Sequence, residues 1–461
     1  MKRLAPRILL MLLCTSLWQT PVTVAHADER PLMINGTIVA AGGVVHDGWI
    51  VIQNGRIQSI SATQPAIPGA HILKTHDLVF PGFVDLHNHP LYAVFPRWKP
   101  PKIYANRYEW RAEQSYLDSI QTPEGKLVAT HFCDMDAFVE LKALAGGTTS
   151  LLGIYEPADT PTVPPCVAGL VRNLDWASGF YGNAVGQERL GNVLGVRPGD
   201  LKLSATVIEQ YRHGALDLIA VHLAEGQRTD PASQGEFARL TELKLLSAKT
   251  AVIHGVALTE QDFGKLRRVG ASFVWSPRSN FELYGQTADI AAAVRQNVTM
   301  ALAPDWSPTG STNMLAEIAY AKALSDRDFG KLLSAQKLFE MATILPARIA
   351  KIDDKVGSLA PGLFADIFLL RGNSANVFET LAAAGPQDVT LTMVNGTPVY
   401  GAPSHLTSLG ASAVEPITMC GEERAINGSA LANGPFADLT ARLSAALSAE
   451  KIQLAGLAEC R

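Results

Sequence analysis

Two histidines two positions apart carry the first chemical signal in this chain. The run Pro81-Gly-Phe-Val-Asp-Leu-His-Asn-His places His87 and His89 at the end of an apolar stretch. On a strand, residues i and i+2 share a face, so both imidazoles point into one space. Paired imidazoles are natural ligands for a divalent cation. Three more apolar runs end in the same manner. Leu218–His222 is followed by Glu225, Ala251–His254 ends in histidine, and Thr299–Pro304 is followed by Asp305. A single histidine of this kind is more often a hydrogen-bonded core residue. Four imidazoles and two carboxylates at successive strand ends read as a metal site.

The elements that must position them are strands of a parallel barrel, whose C-terminal ends meet at one rim. Between residues 81 and 351, apolar runs alternate with helical patterns. Phe83–His87, Thr148–Ile154, Leu218–His222, Ala251–His254, Ser272–Trp275 and Thr299–Pro304 read as buried strands. Asp136–Ala145, Ser233–Ser247, Glu260–Val269 and Ala288–Gln296 read as helices between them. Strand spacings of about 20 to 35 residues suit βα units, so the expected fold class is α/β, a (β/α)8 TIM-type barrel. Residues 155–215 should hold two further strands, one near Val167–Asp175 and one without a clear position.

Residues 28–80 and 352–402 have a different texture. Each carries short alternating runs and an Asn-Gly hairpin signal, Asn54-Gly55 and Asn395-Gly396. We expect them to form one small composite β-sandwich domain from both chain ends. Residues 403–461 read as a loop followed by an amphipathic helix over Phe436–Lys451.

The 461 residues carry 39 Lys+Arg and 43 Asp+Glu, with 47% hydrophobic and 18% charged residues. That composition supports a large core and excludes a disordered chain. It leaves no polybasic surface, so no nucleic-acid partner is expected. Residues 1–27 have the layout of a secretory signal peptide: Lys2, Arg3 and Arg7, a short apolar run from Ile8 to Trp18, then Ala25-His26-Ala27. An uncleaved anchor is the alternative. No later run reaches the roughly 18 apolar residues of a membrane-spanning helix, so no membrane partner is expected after cleavage. Export to a periplasmic or extracellular space favours disulfides among the four remaining cysteines. Cys133–Cys166 and Cys420–Cys460 are the expected pairs, because each brackets one local segment.

The motifs together resemble the amidohydrolase superfamily, and within it the aminohydrolase branch of cytosine deaminase and the triazine hydrolases. Pro81 to His89 is similar to the first-strand signature, and His222-Leu-Ala-Glu to the fifth-strand H-x-x-E. Ile253-His-Gly through Gly270-Ala-Ser-Phe-Val-Trp-Ser-Pro-Arg-Ser-Asn resembles the sixth and seventh strands. Val356–Leu370 resembles the return to the composite β-domain. The resemblance implies that His87, His89, His222 and Asp305 hold the metal, that His254 orients or polarises water, and that Glu225 shuttles a proton. No lysine lies near a plausible fourth strand end, so a two-metal centre is not expected. One divalent ion fits, zinc first, with iron or manganese as alternatives.

In that reading Asp305 accepts a proton from the attacking water and Glu225 protonates a departing nitrogen. A protonated His254 would stabilise charge on the tetrahedral intermediate. The expected function is metal-dependent hydrolysis of a non-peptide C–N bond in a small molecule, by deamination or by opening a cyclic amide. A lactonase or dipeptidase on the same site is the alternative within enzymes; an exported, non-catalytic binding protein is the alternative outside them. Two features depart from the family pattern. Trp306 follows Asp305 where small residues are usual, which would narrow the pocket. The aromatic and basic stretch from Pro96 to Trp110 is either a lid that contacts substrate through Arg107 and Trp110 or packing on the rim. Arg172, Arg278 and Asn280 are weaker pocket candidates, and Lys99 and Lys102 read as solvated charges.

Overall fold

In the computed structural model, which describes residues 30–153, 170–175 and 189–460, the alternating residues near the start of the chain form four strands. These are β1 (Leu32–Ala40), β2 (Gly43–Gln53), β3 (Arg56–Ser61) and β4 (His71–Pro81). Asn54 and Gly55 close the β2–β3 hairpin with φ of 52° and 74°. Two left-handed residues in succession are what a two-residue hairpin turn requires, and Asn-Gly adopts them readily.

Eight parallel strands follow: β5 (Phe83–Asp85), β6 (Thr148–Leu151), β7 (Arg172–Asn173), β8 (Leu190–Val193), β9 (Leu218–Leu223), β10 (Thr250–His254), β11 (Ser272–Trp275) and β12 (Met300–Leu302). They form two ladders, β5–β6–β7 and β8 through β12. Backbone bonds from His89 N to Asp305 O (2.7 Å) and from Asp305 N to His87 O (3.2 Å) join the end of β5 to the end of β12. Val84, Leu218, Ala220, Ile253, Val274 and Ala301 meet in one core with Ile352 and Val356. Small and branched side chains from separate strands meeting this way fill a barrel interior. The strand left unplaced in the sequence is β8. It is short and reads Leu-Gly-Asn-Val, which carries little strand signal.

The chain then returns to the first sheet with β13 (Ile367–Leu370), β14 (Val389–Val394), β15 (Thr397–Gly401), β16 (Val414–Met419) and β17 (Glu422–Asn427). The nine-stranded order is β16-β17-β15-β14-β13-β4-β1-β2-β3. Ile34, Ile50, Ile57, Leu369, Leu391 and Ala425 share its core. Phe80 of β4 stacks on Phe368 of β13 at 5.4 Å, and Phe368 lies 4.8 Å from Phe83 at the start of the barrel.

One expectation needs correction here. Residues 403–461 are not a loop plus a helix: β16 and β17 extend the composite sheet, and a short helix, Pro403–Ser408, precedes them. The terminal helix does form, over Phe436–Ala449. Pro416 and the charges of Glu415, Glu422 and Glu423 mask the hairpin in sequence. They are tolerable because this pair lies at the sheet edge. Cys420 and Cys460 are disulfide-bonded. Cys166 and the leader at 1–27 lie outside the described residues. Among the described residues, no helix is long and apolar enough to cross a membrane.

Candidate active site

The barrel brings His87, His89, His222, His254, Glu225 and Asp305 to one rim. His222 and His254 sit at the ends of β9 and β10, and Asp305 lies just past β12. His254 and Asp305 have left-handed backbones, with φ of 66° and 70°. Such conformations cost about 1–3 kcal/mol each outside glycine and are held only by their surroundings. Here both residues lie where the chain leaves its strand at the rim. Ala224 is left-handed too (φ 51°), and its N–H is held by Glu236 at 2.8 Å. That kink lets His222 and Glu225 reach the same centre.

Donor atoms crowd together there. His87 Nε2 lies 3.0 Å and His89 Nε2 3.7 Å from Asp305 Oδ1. His222 Nε2 lies 3.3 Å from His89 Nε2. Four ligands at about 2.0–2.1 Å around a tetrahedral zinc would sit roughly 3.3 Å apart, so these spacings fit an ion at their common point. Two sets, His87–His222–His254 and His87–His89–Asp305, have ligand atoms within 4.8 Å of one another. His87 Nε2 is buried with no aligned hydrogen-bond partner. Leaving such an atom unpaired is costly, and a cation resolves it.

The electrostatics agree with that fit. Burial lowers the imidazole pKa of His87, and that of His222 well below its ordinary value. Burial, with His87 beside it, pulls His89 down to about 3. Neutral rings have a lone pair to give. Burial alone would raise Asp305, but the surrounding histidines, His87 foremost, hold its carboxyl below the usual range. Ser279 Oγ donates to Asp305 Oδ2. His254 Nδ1 lies 3.0 Å from Asn280 Oδ1, and Asn280 Nδ2 donates to Thr287 Oγ1 at 3.1 Å. With the amide oxygen towards His254, the ring carries its proton on Nδ1 and turns Nε2 to the centre, 3.7 Å from Glu225 Oε2.

The chain matches the Amidohydrolase family model over residues 217–399. It is 24% identical over 412 residues to a 5-methylthioadenosine/S-adenosylhomocysteine deaminase of Desulforudis audaxviator, covering 80% of this chain and 92% of that one. In sequence and fold the chain resembles the amidohydrolases. Its fold is shared with an adenosine deaminase from Xanthomonas campestris with bound zinc (TM-score 0.68, 17% identity, 91% and 98% of the two chains). A mutant atrazine chlorohydrolase from Arthrobacter aurescens, complexed with zinc and atraton, superposes with TM-score 0.65 at 14% identity over 90% and 99%.

The remaining sequence candidates divide. Arg107 and Trp110 are buried at the centre, but they hold protein groups. Arg107 Nε lies 3.3 Å from Glu225 Oε2, and its NH1 donates to Leu194 O. Trp110 Nε1 donates to Tyr284 Oη (2.8 Å), and Tyr284 Oη donates to Glu225 Oε1 (2.6 Å). Trp306 is 3% exposed and lies 5.3 Å from Trp110, ring to ring. Arg172 is not brought to the centre. It starts β7, pairs with Asp366 (NH2–Oδ1 3.0 Å) and stacks on Phe364 at 4.0 Å, joining barrel to β-domain. Arg278 pairs with Glu459, and Lys99 and Lys102 are exposed. Ser279 and Tyr284 escaped the sequence reading as site residues. Ser279 lies within the quoted Ser276-to-Asn280 motif, whereas Tyr284 offered only its position four residues beyond Asn280 on one helix, Pro277–Tyr284.

Proposed function

We propose that the protein is a metal-dependent deaminase that hydrolyses an exocyclic amine from a purine-type ring, adenosine derivatives first. The observation that carries this is the donor set with Glu225 beside it. His87 and His89 Nε2 lie 3.0 and 3.7 Å from Asp305 Oδ1, His222 Nε2 lies 3.3 Å from His89 Nε2, and Glu225 Oε2 is buried beside them, 3.7 Å from His254 Nε2 and 3.3 Å from Arg107 Nε. The deaminase relative, matched over most of both chains, supports the purine substrate class.

His87, His89, His222 and Asp305 would hold the ion, with zinc preferred for an imidazole-rich site. A bound divalent ion lowers the pKa of water from 15.7 to about 7 and so supplies a nucleophile at neutral pH. Asp305 accepts a proton at its carboxylate. Glu225 Oε2 takes up the second proton of the attacking water, and the two carboxylates return both, one to the ring nitrogen and one to the departing amine, which leaves as ammonia. Arg107 and Tyr284 keep that carboxylate in one orientation. His254, fixed by Asn280, presents Nε2 to the developing charge.

Ammonia release from adenosine, 5′-methylthioadenosine, S-adenosylhomocysteine and guanine tests the proposal. Turnover of at least one by the parent and loss in Glu225→Gln is the expected result. Hydrolysis of a lactone or cyclic amide, with every amine untouched, would replace the reading with one of the sequence alternatives. We also propose that residues 1–27 are an export signal, a reading supported by the Cys420–Cys460 disulfide, since such bonds persist in oxidising compartments. N-terminal sequencing of the mature protein checks it; a chain still beginning at Met1 would remove it.

A further inference from the structure

After the terminal helix, the last residues run back over the barrel rim. Ala455 N donates to Val94 O at 2.9 Å, in the turn Pro90–Val94 that directly follows His89. Glu459 then bridges two arginines: its Oε1 lies 3.3 Å from Arg97 NH1 and its Oε2 3.0 Å from Arg278 NH1. Arg97 in turn donates to the carbonyls of Ser307 (3.4 Å), Thr309 (3.1 Å) and Gly310 (2.6 Å), in the loop just past Asp305. Arg278 lies beside Ser279 and Asn280, which hold Asp305 and His254. Cys460 is bonded to Cys420 in the β16–β17 turn, which fixes the tail next to Glu459.

We propose that Glu459 is a positioning residue of the metal centre: tethered by Cys420–Cys460, it seats Arg97 and Arg278, and through them the loop after Asp305 and the helix carrying Ser279 and Asn280. Two guanidinium groups facing one spot repel unless a carboxylate lies between them. Among the described residues, the other carboxylate paired with Arg97 is the half-exposed Glu282, at 3.4 Å. The tether raises the effective concentration of the Glu459 carboxylate at the rim, as any short intramolecular link does. Partly exposed pairs of this kind add little to global stability, so their effect is local order. Small displacements of catalytic groups are costly: about 1 Å can cost 10²-fold in rate.

Hydrogen exchange in the full-length protein tests this without substrate, so it stands or falls separately from the deaminase reading. Silence of the parent in the ammonia assay would count against that reading alone. In Glu459→Gln, peptides covering 90–98 and 303–312 should exchange about tenfold faster, while 218–254 keeps the parent rate. Cys420→Ser/Cys460→Ser should show the same pattern. Glu450→Gln breaks a tail ion pair to Lys126 away from the rim (2.7 Å) and should match the parent. Where turnover is measurable, kcat should fall about fivefold in Glu459→Gln with KM nearly constant. Parent exchange rates in Glu459→Gln at both peptides, or an equal rise in Glu450→Gln, would overturn the proposal. Should the double serine variant fail to fold, Glu459→Gln decides alone.

Discussion

Tyr284 donates a 2.6 Å hydrogen bond to Glu225, which fixes one oxygen of that carboxylate and leaves the other to the centre. Arg107 stands 3.3 Å from the second oxygen. A carboxylate hydrogen-bonded at one oxygen, with a guanidinium near the other, keeps its place while it gains and loses a proton. Glu225→Gln should therefore keep its metal and lose about 10²–10⁴-fold in turnover. Tyr284→Phe removes only that hydrogen bond and should cost about tenfold in kcat with metal content unchanged. Elemental analysis beside initial rates separates the two roles. Metal loss in Glu225→Gln would make Glu225 a ligand.

The metal itself has a direct check. The parent should carry about one transition-metal ion per chain, and His87→Ala/His89→Ala should carry none. Stripping the ion from the parent with a chelator should lower its thermal midpoint, because a ligand present at 1,000 times its Kd adds about 4 kcal/mol to the folded state. Two ions per chain would demand a bridging ligand among residues not yet assigned. A metal-free parent from several metal-supplemented cultures would end the hydrolase reading.

The histidine pairs and their strands were legible because local alternation and position at a strand end determine both. His87 and His89 were legible from the apolar run before them, although β5 ends at Asp85 and both lie just past it, not on the expected Phe83–His87 strand, and Asn54-Gly55 needed only the backbone freedom of those residues. What stayed hidden depends on residues far apart in sequence. Nothing near Arg107 announces that it will meet Glu225, or near Trp110 that its indole will meet Tyr284, 174 residues away. The same holds for the aromatic stretch: Trp110, Trp306 and Tyr116 pack on one another at 5.1 to 5.9 Å, across nearly 200 residues of sequence. β16 and β17 were missed because an edge hairpin can carry charges and proline that a central strand cannot.

Arg172 illustrates a residue whose type suggested substrate and whose place gives it another role. Its guanidinium pairs with Asp366, which is buried at 3% exposure, and Asp366 Oδ1 also accepts from Asn395 N at 2.7 Å. Removing one partner of a buried pair leaves the other charge uncompensated, at a cost of about 3–5 kcal/mol. Arg172→Ala should lose stability on that order in urea melts, yet retain its metal and keep KM within about twofold at a temperature where it is folded. A large rise in KM with unchanged stability would return Arg172 to the substrate pocket.

Glu317 makes stability depend on pH in a direction that can be isolated. It is fully buried and accepts from Ser311 Oγ and from Arg278 N at 3.2 Å. Burial outweighs those bonds and pushes its carboxyl from 4.5 up to about 8. Below about 4.5 the group is protonated whether the chain is folded or unfolded. Between about 4.5 and 8 the unfolded chain has released the proton while the folded one still holds it. Raising the pH through that window therefore favours unfolding, by at most about 1.4 kcal/mol per pH unit, and the loss is complete once the pH passes the folded pKa. Glu317→Gln keeps the shape and cannot titrate. Its urea-derived stability, subtracted from that of the parent, should change with this slope between pH 5 and 7.5 (about the middle of the window) and flatten above about 8. A difference constant across that range would mean that Glu317 is already ionised in the folded protein at pH 5, with Arg278 as the neighbouring charge that stabilises it.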